Sequence, residues 1–316
     1  MGNNSPDMGK TVNYPPVSIV IGTRNRCNIL KHCLDSIAAL NYPGNLLELI
    51  VLDDASNDST PHQAPYYLNH LQEGGFKRVR FLRNEHSVNI ARGRYILGKK
   101  VSSDSEMVLF VDDDVYLEPA CLKNLVEYMV RYPHAGIVGP RIVYANNPKE
   151  TAHGAHFVGG WTARYWSKDA SGATACDWVY STCMLARKEV LDETGGFYPG
   201  YYTAHEEVDF CLRAKKAGFQ VVYQPSAVIQ HEEDVRQIKR ERLYYLYRNK
   251  LLLIHRNFSL PRKIVALSLA LFFGLPKYLL ESIKFHKGFA FSELTLIFLS
   301  IWHGILAKSG PRKNVS

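Results

Sequence analysis

Three carboxylates in a row, Asp112, Asp113 and Asp114, follow the apolar run Val108 to Val111. Four such residues read as a buried strand, so the acids stand at its end. Negative charges stacked at the mouth of an apolar strand are costly unless a cation sits among them. Oxygen ligands select hard ions such as Mg²⁺ or Mn²⁺, and these ions commonly hold substrate phosphates. Taken alone, an Asp triplet reads equally well as a solvated acidic turn. Two further acidic pairs shift the balance. Asp53-Asp54 ends a second apolar run, 47–52, and Glu206-Glu207 opens a segment of helical period. A carboxylate at a helix start can act as a general base, although the helix dipole alone also favours acids there.

The elements that must hold these acids alternate. Val17 to Ile21 reads as a first strand, followed by the polar loop Gly22 to Arg26 and a helix over Asn28 to Leu40. Strands at 47–52 and 79–82 bracket a weaker helix from Ser59-Thr60 to Leu71 that contains Pro61 and Pro65. A helix over Asn89 to Lys99 precedes the strand that carries the Asp triplet. Another spans Ala120 to Arg131, before a strand at Ala135 to Gly139. This alternation predicts an α/β fold, a mostly parallel sheet flanked by helices. Ligands of such sheets collect at the carboxyl ends of the strands. Thr23-Arg24, Asp53-Asp54 and Asp112 to Asp114 occupy three of those ends. No G-x-G-x-x-G follows the first strand and no Walker loop occurs, which disfavours dinucleotide and P-loop sites. Residues 145–180, with Trp161, Trp166 and Trp178, read as loops and short strands lining a pocket. A helix over Glu206 to Ala217 and strands at Val221 to Tyr223 and Ala227 to Ile229 follow.

The 316 residues are 46% hydrophobic and 22% charged, enough for one large α/β domain with an appendage. Six scattered cysteines form no CxxC pair and read as reduced, packed thiols in a cytosolic setting. The polar segment 1–16 lacks the apolar core of a secretory signal and is expected to be extended or disordered. The net charge of +8 is uneven: residues 236–316 hold 15 Lys+Arg against 3 Asp+Glu. A basic, apolar tail on a mildly acidic body suits an anionic surface. Its basic residues are interleaved with long aliphatic runs, which favours lipid over nucleic acid.

Five segments together resemble the inverting family-2 glycosyltransferases of the GT-A fold: 18–26 (SIVIGTRNR), 50–60 (IVLDDASNDST), 109–119 (LFVDDDVYLEP), 195–213 (GGFYPGYYTAHEEVDFCLR) and 224–232 (QPSAVIQHE). Their order and spacing are most similar to transferases that add sugars such as rhamnose to lipid-linked or polysaccharide acceptors. The resemblance implies a catalytic domain over 17–235, with a nucleotide-binding half (17–115) and an acceptor half (116–235). It assigns Thr23, Arg24, Asp53, Asp54, Arg92, Asp112 and Asp113 to the donor nucleotide. Asp112, Asp114 and His231 would hold Mg²⁺ or Mn²⁺. Glu207 would be the base, with Glu206 as the alternative, because the family usually has Glu-Asp at this position. Trp178, Glu206 and His205 would lie toward the acceptor. Two departures stand out: residues 83–89 lack the family's glycines, and Ser181 stands where the family often has Gly. A nucleotidylyltransferase of similar fold and a sugar-nucleotide-binding module without catalysis are the competing readings.

The tail 236–316 reads as a helix over Arg240 to Asn257, an uncharged stretch over 264–275 and a further apolar stretch over 289–307. Twelve helical residues span about 18 Å, short of the roughly 30 Å of a hydrocarbon core; nineteen would span it marginally. Amphipathic or re-entrant helices at the cytoplasmic face of the cell membrane are expected, flanked by Arg262-Lys263, Lys284, Lys287 and Lys308 to Lys313. Packing of these helices on the catalytic domain, or on a second subunit as a homo-oligomer, stays open.

Overall fold

The structure is a computed structural model that describes residues 13–232, 240–274 and 291–312. The first half runs β1 (Val17–Thr23), α1 (Cys27–Ala38), β2 (Leu47–Asp53), α2 (Thr60–Glu73), β3 (Arg78–Arg83), α3 (Asn89–Lys100) and β4 (Met107–Asp112). The second runs β5 (Val115–Leu117), α4 (Cys121–Arg131), β6 (Ala135–Tyr144), β7 (Asn147–His153), β8 (Ala155–Val158), β9 (Tyr165–Lys168), β10 (Thr174–Cys176), β11 (Cys183–Arg187), α5 (Lys188–Thr194), α6 (Glu206–Lys216) and β12 (Gln220–His231). Then come α7 (Arg240–Asn257), α8 (Leu260–Leu269), a π turn over Ala270–Gly274 and α9 (Phe291–Ile305).

The α/β expectation holds. β2 is buried on both faces at all seven residues, which is why its apolar run is nearly continuous. α1 buries Cys27, Leu30, Cys33, Leu34 and Ile37, the helical period read from the sequence. α2 runs through Pro65 to Glu73. An interior proline costs about 3 kcal/mol, but burying Ala64, Leu68 and Leu71 offsets it, since each large apolar side chain contributes roughly 1.5–3 kcal/mol.

The sheet order is β10-β12-β6-β11-β4-β1-β2-β3, with β5 on β12 and β7 on β6. The block β4-β1-β2-β3 is parallel. β11 enters antiparallel between β4 and β6, so the sheet is mixed beyond the parallel block. β12 is one strand rather than two. Its pairing with β6 jumps from Gln224 to Val228, a bulge at Pro225, which has no N–H to give the ladder. Two apolar layers line the sheet, one under α1, α2 and α4, the other under α3, α5, α6 and α7. All six cysteines are free and buried.

α9 packs on α7: the Tyr244 hydroxyl and His303 Nδ1 are 2.6 Å apart, and a Cβ on Gly304 would lie 2.6 Å from Leu251. Among the described residues no helix is long and apolar enough to cross a membrane. Lys284, Lys287, Lys313 and most of the segment 1–16 lie outside the described residues.

Candidate active site

Parallel registers bring the polar ends together. Thr23 of β1 pairs with Asp53 of β2, and Gly22 pairs with Asp112 of β4. The Asp triplet occupies the turn between β4 and β5, and β5 is clamped by β12, which sets His231 opposite Val115. His231 Nε2 then lies 3.4 Å from Asp114 Oδ1.

Each aspartate of the triplet has its own partner. Asp112 Oδ1 accepts from Arg94 Nη2 at 2.6 Å. Asp113 is buried and accepts from the Thr23 hydroxyl at 2.6 Å and Arg26 Nη1 at 2.9 Å. The same Arg26 nitrogen reaches Asp114 Oδ2 at 2.8 Å. Burial pushes Asp113 up to about 6, against the pull of Arg26 and Thr23. Burial also works on Asp114, but the His231 imidazole and the Arg26 guanidinium hold it below the usual carboxylate range.

Arg94 joins the two acidic clusters. Its other nitrogen, Nη1, donates to Glu206 Oε1 at 2.7 Å. One guanidinium, its side chain 9% exposed, therefore ties the end of β4 to the start of α6. Glu207 is buried beside this bridge, and its Oε2 has no hydrogen-bond partner among the described residues. Burial, reinforced by the neighbouring Glu206, pushes Glu207 up to about 8. Burial raises Glu206 as well, while Arg94 opposes the rise.

At the end of β2, Asp53 is fully buried, accepts the Ser56 amide at 3.0 Å and faces Arg83 at 3.4 Å, which orients the turn that follows. Asp54 accepts from Asn84, Ser87 and the amides of Val88 and Asn89, all within 3.1 Å. It thus pins the glycine-poor segment 84–89, with the Ser87 hydroxyl as one of the pins. Burial opposes ionisation of Asp54, but these donors keep it below the usual range. Arg24 and Arg92 are both exposed. Trp178, expected from the sequence toward an acceptor, is buried, stacks on His156 at 4.3 Å and leaves its Nε1 without a hydrogen-bond partner among the described residues. His205 bridges the Tyr165 hydroxyl and the Leu246 carbonyl, each at 3.1 Å. The carbonyl can only accept, so Nε2 carries the proton and Nδ1 accepts from Tyr165. Burial pushes His205 down to about 3, so the ring is neutral.

Arg94, which the sequence reading does not name, is the arginine that bridges the two acidic clusters. The signal for it was present: Arg94 shares the buried face of α3 with Ala91 and Leu97, at a spacing of three. A charge on an apolar face needs a partner. Arg26, the counter-charge of Asp113 and Asp114, was equally visible as a type, but its partners depend on folding.

Among the described residues no group of three or more His, Cys, Asp or Glu side chains forms a ready metal cage. Asp114 and His231 supply a carboxylate oxygen and an imidazole nitrogen side by side, a partial donor set that fits Mn²⁺ or Mg²⁺ when phosphate oxygens and water complete the shell. Asp112 is turned to Arg94.

Residues 18–195 match the family described as Glycosyl transferase family 2, and residues 107–307 match Glycosyl transferase family group 2. An uncharacterised protein of Sinorhizobium fredii, y4gI, is 29% identical over 69% of this chain and 24% of its own length, so the chain spans about a quarter of that relative. The N-acetylglucosaminyl-diphospho-decaprenol L-rhamnosyltransferase of Mycobacterium tuberculosis is 27% identical over 59% of this chain and 67% of its own. In fold, the chain is similar to a mannosyltransferase from Pyrobaculum calidifontis solved with GDP-mannose and Mn²⁺. The TM-score is 0.61 at 17% identity, over 96% of this chain and 89% of that one.

Proposed function

The chain belongs to glycosyl transferase family 2, and we propose that it transfers a sugar with inversion from a nucleotide-sugar to a hydroxyl of a lipid-linked or polysaccharide acceptor. The observation that carries this reading is the Arg94 bridge, which holds Asp112 at 2.6 Å and Glu206 at 2.7 Å. The acids after β4 and the acids opening α6 therefore lie side by side, and this junction is the proposed meeting place of a donor phosphate and an acceptor hydroxyl.

Asp114 and His231 would hold a divalent cation, which when bound stabilises negative charge on the departing diphosphate. Thr23 fixes Asp113, and Asp54 fixes the segment 84–89 beside the donor end of the sheet. Each glutamate keeps one buried oxygen, Oε2, without a hydrogen-bond partner among the described residues, but Glu206 gives its other oxygen to Arg94, and no such guanidinium holds Glu207. Glu207 is therefore the better base: it takes the acceptor proton as the hydroxyl attacks the anomeric carbon. Its raised pKa makes the ionised form a stronger proton acceptor than an exposed carboxylate.

The place of action proposed is the cytoplasmic face of a membrane, with α8 and α9 lying in the interface. Support comes from the exposed Leu260, Ile264, Phe272, Phe273, Phe298 and Trp302 beside Arg262 and Lys263.

The test has two parts. UDP-, GDP- and dTDP-sugars are screened for thermal stabilisation with and without Mn²⁺, since a ligand of the folded state raises Tm. Glu207→Gln is then assayed with the donor that binds. Loss of turnover with donor binding kept is expected; retained transfer would remove Glu207 as base, and full function in that variant would favour a binding module.

A further inference from the structure

The loop that leads into the base is held in a conformation its own residues do not favour. Tyr202, Ala204 and His205 have φ of +70°, +66° and +67°, in the left-handed region. Each such non-glycine residue costs of order 1 kcal/mol and persists only where the surroundings over-determine it. Those surroundings come from α7. Asn249, fully buried, places Nδ2 at 2.9 Å from the Tyr201 and Ala204 carbonyl oxygens and also against that of Thr203. Arg248, 1% exposed, donates Nη2 to the Tyr201 and Gly310 carbonyls at 3.1 Å and Nη1 to the Lys308 carbonyl at 2.8 Å. Its guanidinium thus joins the loop to the end of the chain. Two residues after the base, Asp209 is fully buried and accepts from Arg256 Nε at 3.0 Å and Asn257 Nδ2 at 2.8 Å, again from α7.

We propose that Arg248 and Asn249 are positioning residues for the transfer step: through the 201–205 loop they aim the Glu206-Glu207 pair at its junction with the acids after β4, so the C-terminal helical layer completes the active site. Residues of α7 grip the chain on both sides of Glu207, before it at 201–204 and after it at Asp209. None of them belongs to the donor side of the sheet. Disturbing the grip should move the base relative to the acceptor hydroxyl while leaving the nucleotide where it was. A displacement of about 1 Å can cost on the order of 100-fold in rate. This inference rests on the reading of Glu207 as base.

The experiment uses the full chain with a panel of UDP-N-acetylglucosamine, GDP-mannose and dTDP-rhamnose, following release of the nucleoside diphosphate with water as the attacking hydroxyl. Arg248→Lys keeps the charge but loses the planar fork; Arg248→Met loses both. The expected result is a graded fall in kcat, roughly tenfold for Lys and 100-fold or more for Met, with KM for the donor and its Mn²⁺-dependent thermal stabilisation within twofold of the parent. A lower Tm with kcat unchanged would overturn the proposal and leave Arg248 purely structural. If the Arg248 variants do not fold, Arg256→Lys, at a partly exposed site on the same grip, decides in the same way. Glu207→Gln is measured alongside. Retained turnover there overturns the base reading itself, whereas lost turnover there with unchanged kcat in the α7 variants overturns only the positioning role.

Discussion

At the scale of single residues, Glu207 carries opposite consequences for rate and for stability. Its pKa of about 8 means that the competent, ionised form grows with pH. kcat/KM should therefore rise close to tenfold per pH unit below neutrality and level off above about pH 8; a profile already flat from pH 6 would contradict the assignment. Stability runs the other way. The carboxyl moves from its usual 4.5 in the unfolded chain to about 8 when folded. Between those values the folded state holds a proton that the unfolded chain releases, so stability falls as pH rises. Glu207→Gln should remove that slope and raise Tm at pH 8 while abolishing transfer, as read by thermal melts across pH. Arg94 makes a complementary prediction. Removing one partner of a buried ion pair costs about 3–5 kcal/mol, so Arg94→Met should lower stability in urea by that order. Adding Glu206→Gln to Arg94→Met should recover part of the loss, because the stranded carboxylate is gone, but should restore no activity.

At the scale of elements, the parts read from local pattern are those whose pattern is local. α1 and α4 carry clean apolar stripes, and β1, β2 and β4 are short apolar runs ended by polar motifs. β5, β11 and α5 have no such signature. β11 is a five-residue run between aromatic segments, and what makes it a strand is pairing with β4 and β6, far away in sequence. The site divides along the same line. Acids at strand ends and at a helix start announce themselves by type, while Arg94 and Arg248 show only by their place on an apolar helix face, and the partners of Arg26 are set by folding alone. Arg248 sits between Tyr244 and Leu251 on the apolar stripe of α7, so its burial was written in the spacing of four and three. Close approach of elements sets a further constraint. A Cβ on Gly139 of β6 would lie 2.5 Å from Val179 Cβ. Gly139→Ala should cost about 1–3 kcal/mol through overpacking, lowering Tm by about 2–4 °C per kcal/mol, with nucleotide binding by the surviving folded fraction unchanged.

At the scale of the whole molecule, charge and exposed apolar surface coincide. Residues 236–316 hold 15 of the 38 Lys+Arg and only 3 of the 30 Asp+Glu, and this is also where large apolar side chains stand in water. Phe272 and Phe273 are 74% and 71% exposed, and Phe298 and Trp302 are both 58% exposed. The patch reaches the segment between β8 and β9, where Trp161 stacks against Arg262 of α8 at 5.6 Å. Such a surface loses free energy in water and recovers it at an interface that takes rings into acyl chains and lysines against headgroup phosphates. Two forces then contribute, and they separate experimentally. The electrostatic part is screened, since the Debye length falls from about 10 Å at 0.1 M salt to about 3 Å at 1 M; the apolar part is not. Co-sedimentation with phosphatidylglycerol vesicles should therefore weaken as salt rises, and phosphatidylcholine vesicles should bind less at low salt. Replacing Phe272 and Phe273 together by Ser should reduce binding at every salt concentration by at least tenfold, because each exposed ring that enters the interface contributes on the order of 1 kcal/mol or more. The same substitutions should leave thermal stability within about 2 °C, since neither ring is buried in the core. If vesicle binding is unaffected by salt and by the double substitution, the helical face pairs with protein instead, and light scattering of the full chain should then report a dimer.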